Sequence, residues 1–185
     1  MATMSVRPTR YAVFLRGMNL GGRRISNQDL CAAVAGLGFT EVEAFLASGN
    51  LVLTAEGADA GAVSVRLEEG LREALGYAVP TFVRSAGEVR AIAAHEPFPA
   101  VVIERTAGKL QVALLATAPS AGAREGVLAL ATDDDRLALG PREVYWLPKG
   151  GMSQSELEWR RLEALVGPTT VRTRRTVERM AAKFF

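Results

Sequence analysis

The residues best suited to hold a ligand lie in one stretch, Arg16-Gly17-Met18-Asn19-Leu20-Gly21-Gly22-Arg23-Arg24. Its glycines permit backbone shapes closed to other residues, so the chain can turn sharply and approach a ligand closely. Its arginines offer planar forks that suit phosphate or carboxylate. A helix start follows at Ser26, where orphan amides and the helix dipole would favour an anion. Neither GxxxxGK[ST] nor GxGxxG is present, so the chemistry indicated is anion binding rather than a standard nucleotide fold. On this reading Arg16, Asn19 and Arg172 touch the anion, and Gly17, Gly21 and Gly22 let the backbone approach. Ser48, Gly49 and Asn50 form a second polar tip that fixes orientation.

Catalytic sets are harder to assemble. Ser48 has no evident base. His95, the only histidine, sits in a proline-rich segment away from every motif, which leaves a Ser-His-Asp or Cys-His arrangement without support. One cysteine and one histidine exclude zinc sites of the Cys/His kind. Asp133-Asp134-Asp135 has the composition of a solvated turn more than of a magnesium site. Carboxylates such as Asp29, Glu41 and Glu43 are available for acid–base work, but nothing singles them out, and no catalytic residue, metal or cofactor is assigned.

Composition narrows the class. Hydrophobic residues are 49% and charged residues 23%, as in ordinary globular domains. The net charge of +2 does not by itself indicate nucleic acid. Arg172, Arg174, Arg175, Arg179 and Lys183 make the tail locally basic, so RNA or single-strand binding is the alternative. Aromatics are only 6%, and no strand carries the aromatic pair that RNA-stacking sheets use. The lone Cys31 and the lack of a membrane-length apolar run fit a cytoplasmic protein. Oligomeric state is not legible.

The elements that would position these groups follow a repeated order. Residues 11–15 read as a buried strand. Ser26 and Asp29 form a capping-box-like helix start, with Leu30, Val34 and Leu37 at helical spacing. Residues 42–47 and 51–55 read as a hairpin turning at Ser48-Gly49-Asn50. A helix with Val63, Leu67, Leu71 and Leu75 on one face ends at Gly76, and residues 79–84 return as a strand. Ser85 with Glu88 starts a short helix, and Pro97 and Pro99 stiffen a linker. The order then recurs: strand 110–116, helix 120–131, strands 136–139 and 144–147, a helix opened by Ser153 with Glu156, and strand 169–172. Val177, Met180, Ala181 and Phe184 mark an amphipathic tail helix. Two copies of strand-helix-strand-strand-helix-strand predict an α+β fold of two ferredoxin-like units with antiparallel sheets, plus a C-terminal helix. The expected boundaries are 1–84, a helix and linker over 85–108, and 109–185. Trp146 and Trp159 are expected in the core.

Four stretches taken together carry a resemblance: Arg16-Gly17-Met18-Asn19-Leu20-Gly21-Gly22, Leu46-Ala47-Ser48-Gly49-Asn50-Leu51-Val52, Gly151-Met152-Ser153-Gln154-Ser155-Glu156-Leu157, and Thr170-Val171-Arg172 with Thr176-Val177. In this order the chain resembles the domain of unknown function 1697 family from about Tyr11 onward. The resemblance implies a cytosolic bacterial-type protein with a duplicated ferredoxin-like fold, and it brings no reaction with it. The family's usual Thr-x-Arg-Asn-Trp-Asn-Thr-Val is altered here at Thr173-Arg174-Arg175, and Glu156 stands where a lysine is common.

Overall fold

The structure is a computed structural model that describes residues 8–18, 21–22, 24–46, 49–106 and 109–185. The chain divides into two compact units, one running to Val89 and including Phe184 and Phe185, the other Arg90–Lys183.

In the first unit, β1 (Pro8–Leu15), α1 (Asn27–Gly36), β2 (Thr40–Ala44), β3 (Asn50–Glu56), α2 (Ala60–Leu75) and β4 (Thr81–Ser85) follow one another, and α3 (Ala86–Ala94) crosses the boundary. The strands form one antiparallel sheet in the order β2-β3-β1-β4. The helix starts obey local chemistry. Ser26 caps α1 by accepting from the Asp29 amide at 3.0 Å, and its hydroxyl donates to the Asp29 carboxylate at 2.6 Å. Ser85 and Glu88 form a reciprocal capping box, the Ser85 amide donating to Glu88 at 2.9 Å and the Glu88 amide to Ser85 Oγ at 3.3 Å. One sheet face packs Tyr11, Val13, Leu15, Leu51 and Leu53 against Leu30, Val34, Val63, Leu67 and Leu71 of α1 and α2. The alternating residues Ala12, Phe14, Val52, Phe82 and Arg84 are buried as well.

The second unit continues with α4 (Ala100–Thr106), β5 (Gln111–Leu115), α5 (Ala121–Leu128), β6 (Asp135–Leu139), β7 (Glu143–Pro148), α6 (Trp159–Val166), β8 (Thr169–Thr173) and α7 (Arg174–Phe184). Its sheet order is β6-β7-β5-β8. The repetition reaches the hydrogen-bond ladder. Tyr11 faces Leu53 and Ser85 across its neighbours, and Gln111 faces Trp146 and Thr173 at the matching step. The Leu15 amide donates to Gly49 O at 2.7 Å, as the Leu115 amide does to Arg142 O at 2.9 Å. The repeated arrangement is therefore visible in register, with little identity between most paired side chains.

One local expectation fails, and one helix was not anticipated. Ser153 does not open a helix: Met152–Gln154 is a single 3-10 turn, and α6 begins at Trp159 without a side-chain cap. Ser155 is instead drawn to the buried Asp135, donating to its Oδ1 at 2.6 Å. The segment after Pro97 and Pro99 holds α4, a short helix with no buried residue. Within α7, Val177 and Met180 are buried, as the tail periodicity requires.

Candidate functional site

The two glycine-bearing stretches of the first unit meet at one end of its sheet. The Leu15 amide bonds Gly49 O at 2.7 Å, and the Arg16 amide bonds Pro80 O at 3.0 Å, so the chain leaves β1 held from both neighbours. Gly49 has φ +80°, and a Cβ there would stand 3.0 Å from Met18 Cγ and 3.2 Å from Leu15 O. Only glycine allows this seam. Met18 is buried and anchors the loop from inside. On the far side of the turn, Asn27 Nδ2 donates to Leu46 O at 3.0 Å, tying α1 to the β2–β3 connection.

The individual residues fall into distinct settings. Gly17, Gly21 and Gly22 all have positive φ, between +63° and +82°, and nothing lies within 4 Å of where their Cβ atoms would be. Their glycine character answers to backbone shape rather than to crowding. Arg16 is half-buried and Arg24 exposed. Asn50 is buried and donates through Nδ2 to Phe45 O at 3.2 Å, so its amide closes the turn. Asn19 and Ser48 lie outside the described residues. The α1 N-terminus is already capped by Ser26 and faced by Asp29, which removes it as an anion cradle.

Arg172 belongs to the second unit. Its guanidinium donates from Nη1 to Thr170 Oγ1 at 2.9 Å and to Val171 O at 2.8 Å. Burial pushes its pKa down to about 10, so it remains a cation at neutral pH. The altered Thr173-Arg174-Arg175 segment spans the end of β8 and the start of α7, where Thr173 Oγ1 accepts from the Thr176 amide at 3.2 Å and Arg174 pairs with Glu178 at 2.9 Å.

The carboxylates weighed for acid–base work have structural partners. Asp29 caps α1, Glu41 accepts from Thr54 Oγ1 at 2.7 Å, and Glu43 pairs with Arg10 at 3.3 Å. His95 stacks on Tyr145 with ring centroids 4.6 Å apart. Among the described residues no group of carboxylates, histidines and cysteines could hold a metal ion. The strand aromatics Tyr11, Phe14, Phe82, Tyr145 and Trp146 are buried, so no exposed aromatic platform supports RNA stacking on these strands.

Sequence reasoning missed the setting of the tryptophans. Trp146 is in the core, yet it also lines a pocket with Trp159, their ring centroids 5.2 Å apart. The pairing is non-local, and only the Gly151-to-Leu157 stretch hinted at a site nearby.

Comparison with known proteins places the chain in a family without assigning it a reaction. The model of a family described as "Protein of unknown function (DUF1697)" matches residues 9–145, a span that includes both glycine-bearing stretches and stops before Arg172. Among solved structures the chain is similar to the conserved bacterial protein SP0830 from Streptococcus pneumoniae, with 20% identity, a TM-score of 0.74, and coverage of 95% of this chain and 98% of that one. That likeness concerns the fold. No curated protein matches. No helix among the described residues is long and apolar enough to cross a membrane.

Proposed function

We propose, for a chain that belongs to the DUF1697 family of proteins of unknown function, that the first unit binds a small phosphorylated or otherwise anionic ligand. The observation that carries this reading is a difference between the two units. Their ladders match, but the β1–α1 connection of the first, residues 16–25, is more than twice as long as its counterpart, residues 116–119. The β2–β3 connection, residues 45–49, is likewise longer than residues 140–142. The second unit builds the same sheet without either extension. Extra chain on a rigid scaffold is where binding residues commonly reside, and here both extensions adjoin.

In this reading Arg16 contacts the anion, with Asn19 beside it. Gly17, Gly21 and Gly22 shape the loop so that backbone amides are presented, and Ser48, Gly49 and Asn50 hold the adjoining turn. Arg172 is carried as a further anion contact in the second unit. The strand-helix-strand-strand-helix-strand order with antiparallel pairing supports reading each unit as ferredoxin-like. A cytoplasmic setting belongs to the same reading, supported by the single free cysteine, Cys31.

The test is a thermal-shift screen against nucleotides, sugar phosphates and inorganic pyrophosphate at two salt concentrations. A ligand of the native state raises the melting temperature by mass action. A shift that persists at higher salt and is lost in Arg16→Ala supports the reading. A shift untouched by that substitution removes Arg16 from the site.

A further inference from the structure

In the second unit the 151–157 stretch meets Val171 of β8 at a pocket whose lining residues the anion reading leaves unused. The pocket holds about 310 Å³ and is lined by Trp146, Met152, Ser155, Leu157, Trp159 and Val171. Beside it lies a cleft of about 620 Å³, and Leu157 lines both. Between them Asp135 Oδ1 accepts from Trp146 Nε1 at 2.7 Å and from Ser155 Oγ at 2.6 Å, which fixes one indole in place. The cleft carries Asp133, Asp134, Glu156 and Glu158 in addition to Asp135, and Arg161 is the one cation in its lining.

We propose that this pocket binds a small organic ammonium ion, its apolar body on the indoles and its charge toward the carboxylates of the adjoining cleft. The two walls ask for different things of an occupant. The indoles and the Met152 and Leu157 side chains favour an apolar surface, and an indole face also attracts a cation through its quadrupole. A neutral apolar molecule would gain from the first property alone. An anion would meet the acidic cleft and be repelled.

Geometry limits where the cation sits. At 5.2 Å with a 43° tilt the rings touch one another, so nothing fits between them. The occupant lies against their outer surface, chiefly on Trp159, which is half-buried where Trp146 is nearly closed off. The carboxylates differ in availability. Asp134 is paired with Lys149 at 2.7 Å and Glu158 with Arg161 at 3.4 Å. Glu158 also stands at the N-terminus of α6, where its charge answers the helix dipole. Glu156 makes no ion pair among the described residues and adjoins Leu157 directly, so it is the carboxylate assigned to the ligand.

Trp146 and Trp159 are the chain's only tryptophans, so fluorescence excited selectively through tryptophan reports on this pocket. Choline is the probe, 3,3-dimethylbutan-1-ol its uncharged counterpart of similar shape, and ionic strength is matched with sodium chloride. The expected result is a saturable change with choline, absent with the alcohol at equal concentration, and weakened about tenfold or more in Glu156→Lys. Circular dichroism confirms that this exposed variant is folded. No saturable change up to about 100 mM choline, an equal response to the alcohol, or unchanged affinity in folded Glu156→Lys would each overturn the proposal. Phosphatidylcholine vesicles form a second arm: co-flotation would replace the free molecule with a lipid headgroup, and its absence with choline binding intact supports the free molecule.

Discussion

Arg84 and Arg172 occupy the same step of two equivalent ladders. Arg84 faces Ala12 across β1–β4, and Arg172 faces Val112 across β5–β8. Each donates from Nη1 to the carbonyl of the residue before it, Val83 at 3.0 Å and Val171 at 2.8 Å. Thr-Phe-Val-Arg-Ser in one strand and Thr-Thr-Val-Arg-Thr in the other carry the repeated arrangement into the side chains.

Their burial differs, and so should the cost of removing them. Arg84 is wholly buried, so Arg84→Ala leaves both a void and unsatisfied neighbours, about 2–4 kcal/mol of lost stability. Arg172 is partly open, and Arg172→Ala should cost about 1 kcal/mol. Urea unfolding of the two variants checks the order, and a larger loss for Arg172 would contradict it.

Glycine positions in the candidate site should separate into two classes. Gly49→Ala combines a left-handed backbone with contact against Met18 and Leu15, and should cost about 2–3 kcal/mol. Gly17→Ala meets only the backbone penalty and should cost about 1 kcal/mol. Equal losses in denaturant melts would show that the seam at Gly49 does not matter.

Asp135 should prove structural, with an effect visible in fluorescence. Asp135→Ala leaves the buried Trp146 indole N–H without its acceptor, a loss of about 2 kcal/mol. Ser155→Ala removes one donor to Asp135 and the acceptor of the partly buried Leu157 amide, and should cost about 1 kcal/mol. Melts monitored by tryptophan emission distinguish them.

Cys31 should be a slow nucleophile. Burial raises its pKa above the ordinary thiol value, opposed by a hydrogen bond from the Ala44 backbone and reinforced by Glu43. Thiol reagents should label the native protein more slowly than the unfolded chain. The unfolded thiol loses its proton first, so this group's contribution to stability falls as pH rises through the thiol range. Labelling at the unfolded rate would contradict the assignment.

Much of the architecture was legible because it is locally encoded. Ser26, Ser85 and Ser120 each precede a helix by capping chemistry that three or four residues determine. Ser153 and Glu156 show the same spacing and fail, because Ser155 is captured by Asp135, a residue of β6 that no local pattern reveals. The α4 helix was illegible because it buries no side chain and therefore leaves no periodic signal. For the candidate site, the glycine stretches were visible but their seam was not: Gly49 touching Met18 is a product of sheet register. The Trp146–Trp159 pocket required tertiary structure outright, since β7 and α6 meet only in the fold.

The central claim is that the lengthened connections of the first unit bind an anion through Arg16. Calorimetric titration of inorganic pyrophosphate, or of the strongest phosphate compound from the thermal screen, into the protein and into Arg16→Ala tests it most directly. The account predicts saturable binding that falls about tenfold or more in Arg16→Ala and is unchanged in Arg72→Ala, a cation on the exposed side of α2. Equal affinity in all three proteins, or no binding by any phosphate compound to the unaltered chain, would contradict it.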